Sequence, residues 1–179
     1  MKFKSSKRNN IRVITTAAML TAISVVIGMF CKNFLNFGNG LYRITFENFP
    51  IILSGIVFGP IVGGMVGVVS DLISCIFSSS GAPLPLVSLG AFLVGWTSGI
   101  VSHYVFKKRS MLRIIASAAT AHIIGSMIVK PIGLFVFYGL AVLWRIPLYL
   151  VIAPIEIILI CLMYKNKTFS RLIDEGEGL

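Results

Sequence analysis

The fold is decided by the stretch Glu47-Asn-Phe-Pro-Ile-Ile-Leu-Ser-Gly-Ile-Val-Phe-Gly-Pro60 and by the apolar run that follows it, Ile61–Phe77. A single helix over residues 47–77 would carry Pro60 in its interior, where a proline removes a backbone hydrogen bond and clashes with the preceding turn. Two helices joined by a tight Gly59-Pro60 turn avoid that conflict. The sequence therefore predicts one helix over Glu47–Phe58 and another over Ile61–Phe77.

The composition of the chain is that of a membrane protein. Hydrophobic residues make up 56% of it and charged residues only 12%, and the mean hydropathy is +0.93. Soluble domains are about 45–50% apolar and about one quarter charged. Because a water-soluble fold cannot cover this much apolar surface, the composition predicts a protein embedded in a lipid bilayer.

Six apolar stretches approach the length of about 20 residues that a helix needs to cross a bilayer. We therefore predict an all-α fold, with residues 1–179 forming a single membrane domain of six transmembrane helices. The second stretch is short, so we expect it to be tilted or partly re-entrant, and we expect Ile132–Leu143 to form a loop or an interfacial helix. The stretches are Ile11–Cys31, Glu47–Phe58, Ile61–Phe77, Leu84–Phe106, Met111–Val129 and Trp144–Tyr164.

Clusters of basic residues predict the orientation. With six spans, three clusters fall on one side of the membrane, which the positive-inside rule makes the cytoplasm. Both termini are then cytoplasmic, and the net charge of +10 reflects topology rather than nucleic-acid binding. The clusters are Lys2, Lys4, Lys7, Arg8 and Arg12; Lys107, Lys108, Arg109 and Arg113; and Lys165, Lys167 and Arg171.

Four basic residues fall on the predicted outer side. Lys32 and Arg43 are expected in the first outer loop, Lys130 in the third, and Arg145 at the outer start of the sixth helix. They are either interfacial anchors that reach lipid headgroups or part of a ligand site. A ligand with carboxylates and a flat ring would suit them, because guanidinium groups pair with carboxylates and the neighbouring aromatic rings stack.

Three acidic residues lie in or next to the predicted spans. A carboxylate inside a membrane costs at least ~2.5 kcal/mol and is therefore a candidate for function. Glu47 either caps its helix or contacts a ligand; Asp71 either pairs with an arginine or accepts hydrogen bonds from an amino-substituted heterocycle. Glu156 is expected to be a buried partner of a lysine or histidine. No histidine or cysteine pair has metal-ligand spacing, so we expect neither metal nor cofactor.

A resemblance to a known family is carried by three adjacent segments: Arg43-Ile-Thr-Phe-Glu-Asn-Phe-Pro50, Ile51–Pro60 and Gly63-Gly-Met-Val-Gly-Val-Val-Ser-Asp71. They resemble the substrate-binding S components of energy-coupling factor (ECF) vitamin transporters, and most of all the folate-specific member. The resemblance implies a subunit of the bacterial plasma membrane that binds a vitamin from outside. It also implies docking to a membrane coupling subunit and two cytoplasmic ATPases, partly through Ala18 and Ala22, and toppling to release the vitamin inward.

The chemistry of the residues and the resemblance both favour folate, which has two carboxylates, a benzene ring and a pterin with N–H donors. We expect Asp71 to receive the pterin N–H groups, assisted by Glu47 or Asn48. The expected carboxylate partners are Arg43, Lys130 and Arg145, and the expected ring contacts are Phe92, Trp96, Tyr138 and Trp144. The chain lacks a G-x-x-x-x-G-K-[ST] motif, so we expect ATP hydrolysis in the partner subunits and no enzymatic activity here.

Three other functions were weighed. A membrane enzyme is disfavoured because the sequence has no G-x-S-x-G or H-E-x-x-H motif, and Ser98 and His103 are poorly placed on a common helix face. A self-contained small secondary transporter or a channel would normally need more helices, oligomerisation or an inverted repeat. An S component for riboflavin or thiamin stays open, although the outer cations argue against thiamin, which is itself a cation.

Overall fold

The structure is a computed structural model that describes residues 2–37, 42–77, 84–106 and 110–166. These residues are helical except for short connections and one hairpin, in which Asn36 pairs with Arg43 in antiparallel register. The helices and strands are α1 (Lys2–Phe34), β1 (Asn36–Phe37), β2 (Tyr42–Arg43), α2 (Asn48–Phe58), α3 (Pro60–Ile76), α4 (Pro85–Ile100), α5 (Met111–Ala121), α6 (Lys130–Tyr138) and α7 (Arg145–Lys165). The predicted all-α class is confirmed.

Three short segments of non-α helix extend or join these elements. α4 continues as a π-helix over Val101–Val105, and a second π-helix over His122–Val129 joins α5 and α6 into one rod. A 3-10 helix over Gly139–Trp144 precedes α7. The rod therefore runs beyond Val129, where the fifth span was expected to end. Pro131 lies within this rod, in the first turn of α6 directly after the π-helix.

Helix lengths divide the described residues into two groups. Four helical stretches are long and apolar enough to cross a membrane: Ile11–Phe34, Pro85–Val105, Met111–Val136 and Gly139–Lys165. α2 and α3 are apolar but have only 11 and 17 residues, which corresponds to roughly 16 and 26 Å of helix. A hydrocarbon core is about 30 Å thick, so the crossing of the membrane by α2 and α3 stays a prediction.

The Gly59-Pro60 turn joins α2 and α3 as the sequence predicts. Gly59 has φ +88°, a left-handed backbone conformation that glycine adopts without steric cost. Its N–H donates to the carbonyl of Gly55 at 3.0 Å, which closes α2, and Pro60 opens α3. The chain reverses direction here within a single residue.

α2, α3 and α4 pack with their backbones almost in contact. A Cβ atom added to Gly63 would lie 2.6 Å from the carbonyl oxygen of Gly95 and 2.5 Å from the Cα of Gly55. Small residues that allow such approach are the usual means of helix association in lipid. The central apolar core lies beside this contact and includes Ile51, Ile52 and Val94.

The first turn of α5 contains a buried arginine, Arg113. Arg113 was expected in a cytoplasmic basic cluster, but it is only 6% exposed. Its Nε and Nη2 atoms donate to the hydroxyl of Ser102 at 2.8 and 2.7 Å, so it links α5 to the π-helix after α4. Lys107, Lys108, Arg109, Lys167 and Arg171 lie outside the described residues.

We expect Gly95→Ala to lower the thermal stability of the purified protein by about 1–3 kcal/mol, because the new methyl group has no room against α3. Leu89→Ala is the matched control, since Leu89 is on the same helix and 47% exposed. The measurement is the unfolding midpoint in detergent. Equal effects of the two substitutions would contradict the close packing of α3 against α4.

Candidate ligand-binding site

Buried polar side chains from five helical elements converge at one end of the bundle. Because successive helices run in opposite directions, the C-terminal halves of α1 and α3 lie beside the N-terminal ends of α2 and α4. We call this group the ionic cluster. It consists of Lys32, Glu47, Asn48, Asp71, Ser74, Ser88, Ser126 and Lys130, all at most 7% exposed.

Lys32 connects α1 to α3 within the cluster. Its Nζ atom lies 2.6 Å from the hydroxyl of Ser74, 3.2 Å from the sulfur of Cys75 and 3.6 Å from Oδ1 of Asp71. Asp71 is also held from α4, because the hydroxyl of Ser88 donates to its Oδ2 at 2.8 Å. The Asp71 carboxylate is thus contacted by Lys32 from α1 and by Ser88 from α4.

Lys130 forms a second branch of the cluster, between α6 and the start of α2. Its Nζ donates to Oδ1 of Asn48 at 2.9 Å and lies 3.5 Å from Oε1 of Glu47. The side-chain amide of Asn48 in turn donates to the hydroxyl of Ser126 at 3.3 Å. The branch therefore connects the rod that contains α5 and α6 to α2.

Glu47 lies between the two lysines. Its Oε1 faces Lys130 at 3.5 Å, and its Oε2 faces Lys32 at 4.0 Å. α1 leaves space for this carboxylate at Gly28, where an added Cβ would be 2.9 Å from Oε2. Glu47 precedes α2 but makes no side-chain cap bond to it, so the structure does not support the capping interpretation, and its contact with a ligand stays a prediction.

The formal charges of the cluster cancel. Lys32 and Lys130 supply two positive charges, and Glu47 and Asp71 supply two negative ones, all four side chains being 5% exposed or less. An isolated buried charge is far more costly than a paired one. The cluster gathers positively charged hydrogen-bond donors and negatively charged acceptors at one end of the bundle.

A separate buried pair lies deeper in the bundle. Nε2 of His122 and Oε2 of Glu156 are 3.0 Å apart, and the two residues are 1% and 0% exposed. The angular geometry is not that of a hydrogen bond, so we treat the contact as an electrostatic one between adjacent groups. The pair joins the π-helix between α5 and α6 to α7. It agrees with the expectation that Glu156 has a buried histidine or lysine partner.

Of the four expected aromatic residues, the structure describes the side chains of Phe92 and Trp96. Phe92 and Trp96 lie on α4 one and two turns beyond Ser88, with ring centroids 6.3 Å apart and planes 22° apart. The Phe92 ring packs on Gly64 of α3, and Trp96 is 38% exposed. The side chains of Arg43, Tyr138, Trp144 and Arg145 lie outside the described part of the structure, so their expected roles stay predictions.

Two of the four outer cations are not loop residues as expected. Lys32 belongs to the last turns of α1, and Lys130 is the first residue of α6; each is 2% exposed. Both helices extend beyond their predicted ends, because hydropathy alone ends an apolar run near its first charge. A lysine that is followed by further helix and faces two carboxylates can be buried, and the acids at Glu47 and Asp71 were the available signal.

Lys32 was left out of the expected site, and so were the three cluster serines. Ser74 lies on the same face of α3 as Asp71, and Ser88 faces Asp71 from α4. Serines in apolar helices are, however, common packing residues. Only the three-dimensional pairing distinguishes them. Among the described residues, no three His, Cys, Asp or Glu side chains form a group that could hold a metal ion.

The fold and the ionic cluster define a small helical membrane protein with four charged side chains gathered at one end of the bundle. The family model described as "ECF transporter, substrate-specific component" matches residues 12–173. The chain therefore belongs to the substrate-specific components of ECF transporters, as its resemblance implied. It is a membrane transport protein.

Two relatives have similar sequences. The "Folate transporter FolT" of Clostridium novyi (strain NT) is 29% identical over 124 residues, which are 68% of this chain and 69% of the relative. The "Riboflavin transporter RibU" of Staphylococcus aureus (strain TCH60) is 28% identical over 138 residues, covering 76% of this chain and 70% of the relative.

Two solved structures have similar folds. One is described as "Crystal structure of FolT bound with folic acid"; its TM-score is 0.64 at 25% identity, and the match covers 87% of this chain and 97% of that one. The other is described as "Structure and mechanism of the S component of a bacterial ECF transporter", with a TM-score of 0.65, 25% identity and coverages of 87% and 95%.

We expect Glu156→Leu to destabilise the protein by about 1–3 kcal/mol, because it removes the carboxylate that lies beside the buried polar imidazole of His122. The double variant His122→Leu/Glu156→Leu should recover most of that loss, since apolar residues replace buried pairs at little cost. Unfolding midpoints in detergent measure both. A double variant that is less stable than the single one would contradict a purely pairwise role.

Proposed function

We propose that this chain is the folate-binding subunit of an ECF transporter, capturing folate from outside the cell at the end of the bundle that carries the ionic cluster. The observation that carries the proposal is the cluster itself. It provides buried carboxylates for the N–H donors of a pterin and buried ammonium groups near them. Four of the residues that sequence reasoning assigned to folate belong to it, namely Glu47, Asn48, Asp71 and Lys130.

Similarity supports folate over other vitamins. A relative named as a folate transporter and a structure described with folic acid bound both match most of the chain. In the proposed mode, Asp71 receives the pterin N–H groups and Glu47 or Asn48 assists. Lys130, Arg43 and Arg145 contribute the positive charge that attracts the two carboxylates of the glutamate tail, and Phe92, Trp96, Tyr138 and Trp144 contribute ring contacts.

Riboflavin is the second candidate, because a relative of comparable identity is named as a riboflavin transporter. Riboflavin has a flat ring system with hydrogen-bonding edges but no carboxylate. It would use the acceptors of the cluster without needing its cations. The two vitamins therefore make different demands on Lys130, and binding experiments separate them.

Transport requires partners under this proposal. We infer that the chain lies in the bacterial plasma membrane with both termini in the cytoplasm, and that it docks to a membrane coupling subunit that acts with two ATPases. Ala18 and Ala22 are exposed on α1, and most of the apolar stretch of that helix is not buried within the bundle. This face is available for the coupling subunit, and ATP hydrolysis by the partners then topples the bundle to release folate inward.

Titration of the detergent-purified chain with folate is expected to quench tryptophan fluorescence saturably at nanomolar to low micromolar concentrations, which correspond to roughly −12 to −8 kcal/mol. Lys130→Met should weaken binding about tenfold or more, since a hydrogen bond to a charged group is worth about 1.5–3 kcal/mol. Lys165→Met is the control, because Lys165 is exposed in the last turn of α7.

Riboflavin and thiamin serve as competing ligands in the same assay. A response to riboflavin without one to folate would keep the family role and replace the vitamin. If none of the three ligands bound, the proposed binding function would be wrong.

The docking face is tested by Ala18→Leu/Ala22→Leu. We expect this variant to bind folate like the unchanged chain but to lose co-purification with the coupling subunit and folate uptake, because leucines prevent close helix approach. Ile23→Leu is the matched control on the same helix, at a position that is 47% exposed. Retained uptake by the double variant would show that docking uses another surface.

A further inference from the structure

We propose that Lys32 is a positioning residue of the folate site: its ammonium group holds the Asp71 carboxylate in the orientation that receives the pterin N–H groups. The proposal rests on the proposed function and deepens it. Lys32 was predicted only as one of four cations on the outer side, and it was not among the expected folate contacts. Lys32 acts through Asp71 rather than by touching the ligand.

The first argument is the number of donors on Lys32. A lysine ammonium group has three N–H donors, and α3 presents three partners to them. These are the hydroxyl of Ser74 at 2.6 Å, the sulfur of Cys75 at 3.2 Å and Oδ1 of Asp71 at 3.6 Å. Residues 71, 74 and 75 are spaced i, i+3 and i+4, which places them on one face of a helix. Lys32 is therefore directed at α3 and not at an open cavity.

The second argument is the remaining capacity of Asp71. A carboxylate has about four acceptor positions on its two oxygens. Lys32 faces Oδ1 at 3.6 Å, the thiol of Cys75 lies 3.9 Å from the same oxygen, and Ser88 donates to Oδ2 at 2.8 Å. Ser88 leaves an acceptor position on Oδ2, and both contacts of Oδ1 are longer than 3.5 Å, so the carboxylate can receive two parallel N–H groups. The 2-amino group and the adjacent ring N–H of a pterin form such a pair.

The third argument is charge. Lys32 also lies 4.0 Å from Oε2 of Glu47, so its removal leaves the two buried carboxylates of the cluster, Glu47 and Asp71, with one cluster cation, Lys130. Two carboxylates that share one cation repel each other, and an unbalanced buried charge is strongly disfavoured. The orientation of Asp71 then loses both its direct partner and the charge that stabilises it.

The test compares folate with a folate analogue in which a methyl group replaces the 2-amino group. For Lys32→Met, we expect folate affinity to fall about tenfold or more, as for loss of a charge-assisted hydrogen bond. Affinity for the analogue should fall less than about threefold, because that ligand makes less use of Asp71. Asp71→Asn should show the same difference between ligands, and Lys32→Met/Asp71→Asn should be no weaker than Asp71→Asn alone.

The outcomes separate a positioning role from a structural one. Equal fold-losses for folate and the analogue, with folate binding by the unchanged chain intact, would overturn the role of Lys32 and leave the proposed function standing. Absence of folate binding by the unchanged chain would instead overturn the proposed function and with it this role.

A second variant covers the case in which Lys32→Met does not fold. Ser74→Ala removes the 2.6 Å contact of Lys32 but keeps every charge. We expect it to weaken folate binding more than analogue binding, by a smaller factor than Lys32→Met. Thr120→Ala is the control, since the Thr120 hydroxyl donates to the backbone carbonyl of Ala116 within its own helix. If Ser74→Ala weakened both ligands equally, the positioning role would be wrong.

Discussion

The balance of buried charge is the constraint on which this structure depends. Four ionisable side chains lie buried together in the bundle, and a single ion could not stay there alone, because its desolvation costs several kcal/mol. Glu47 meets this constraint by facing Lys32 on one side and Lys130 on the other. The arrangement joins α1, α2 and α6, so the same contacts that neutralise the charges also fix how three helices meet.

The apolar packing of the bundle complements this polar cluster. α2, α3 and α4 approach closely through Gly63 and Gly95, and the Gly59 turn holds α2 against α3. These three helices meet through glycines, whereas longer side chains fill the end of the bundle where the cluster lies. Gly28 and Gly90 make the remaining space, since an added Cβ would crowd Glu47 at one and Lys130 at the other. Close helix packing and charge pairing therefore act together, because the glycines leave the space in which the charged side chains meet.

Much of this fold was predictable because its signals are local. Composition indicated the membrane, and Gly59-Pro60 indicated a break between two helices, since the steric reasons act within a few residues. Asp71 and Glu47 were recognised because a carboxylate in an apolar run is costly wherever the chain folds. Lys32 and Lys130 were misplaced into loops because hydropathy alone ends a helix near a charge. Their burial depends on acids 15 to 83 residues away in sequence, and no local pattern encodes that distance.

α1 links the ligand site to the proposed docking face. Lys32 lies in its last turns, while Ala18 and Ala22 are exposed 14 and 10 residues earlier on the same 33-residue helix. At 1.5 Å per residue, roughly 15–21 Å of helix separates the two functions. Coupling between two sites requires an element whose position both of them bias. A tilt of α1 on docking would move Lys32 against α3, and because Lys32 holds Asp71, such a tilt would loosen the acceptor that we assign to the pterin. The binding end and the docking face thus share a single rigid element, which gives docking a direct physical route to ligand release.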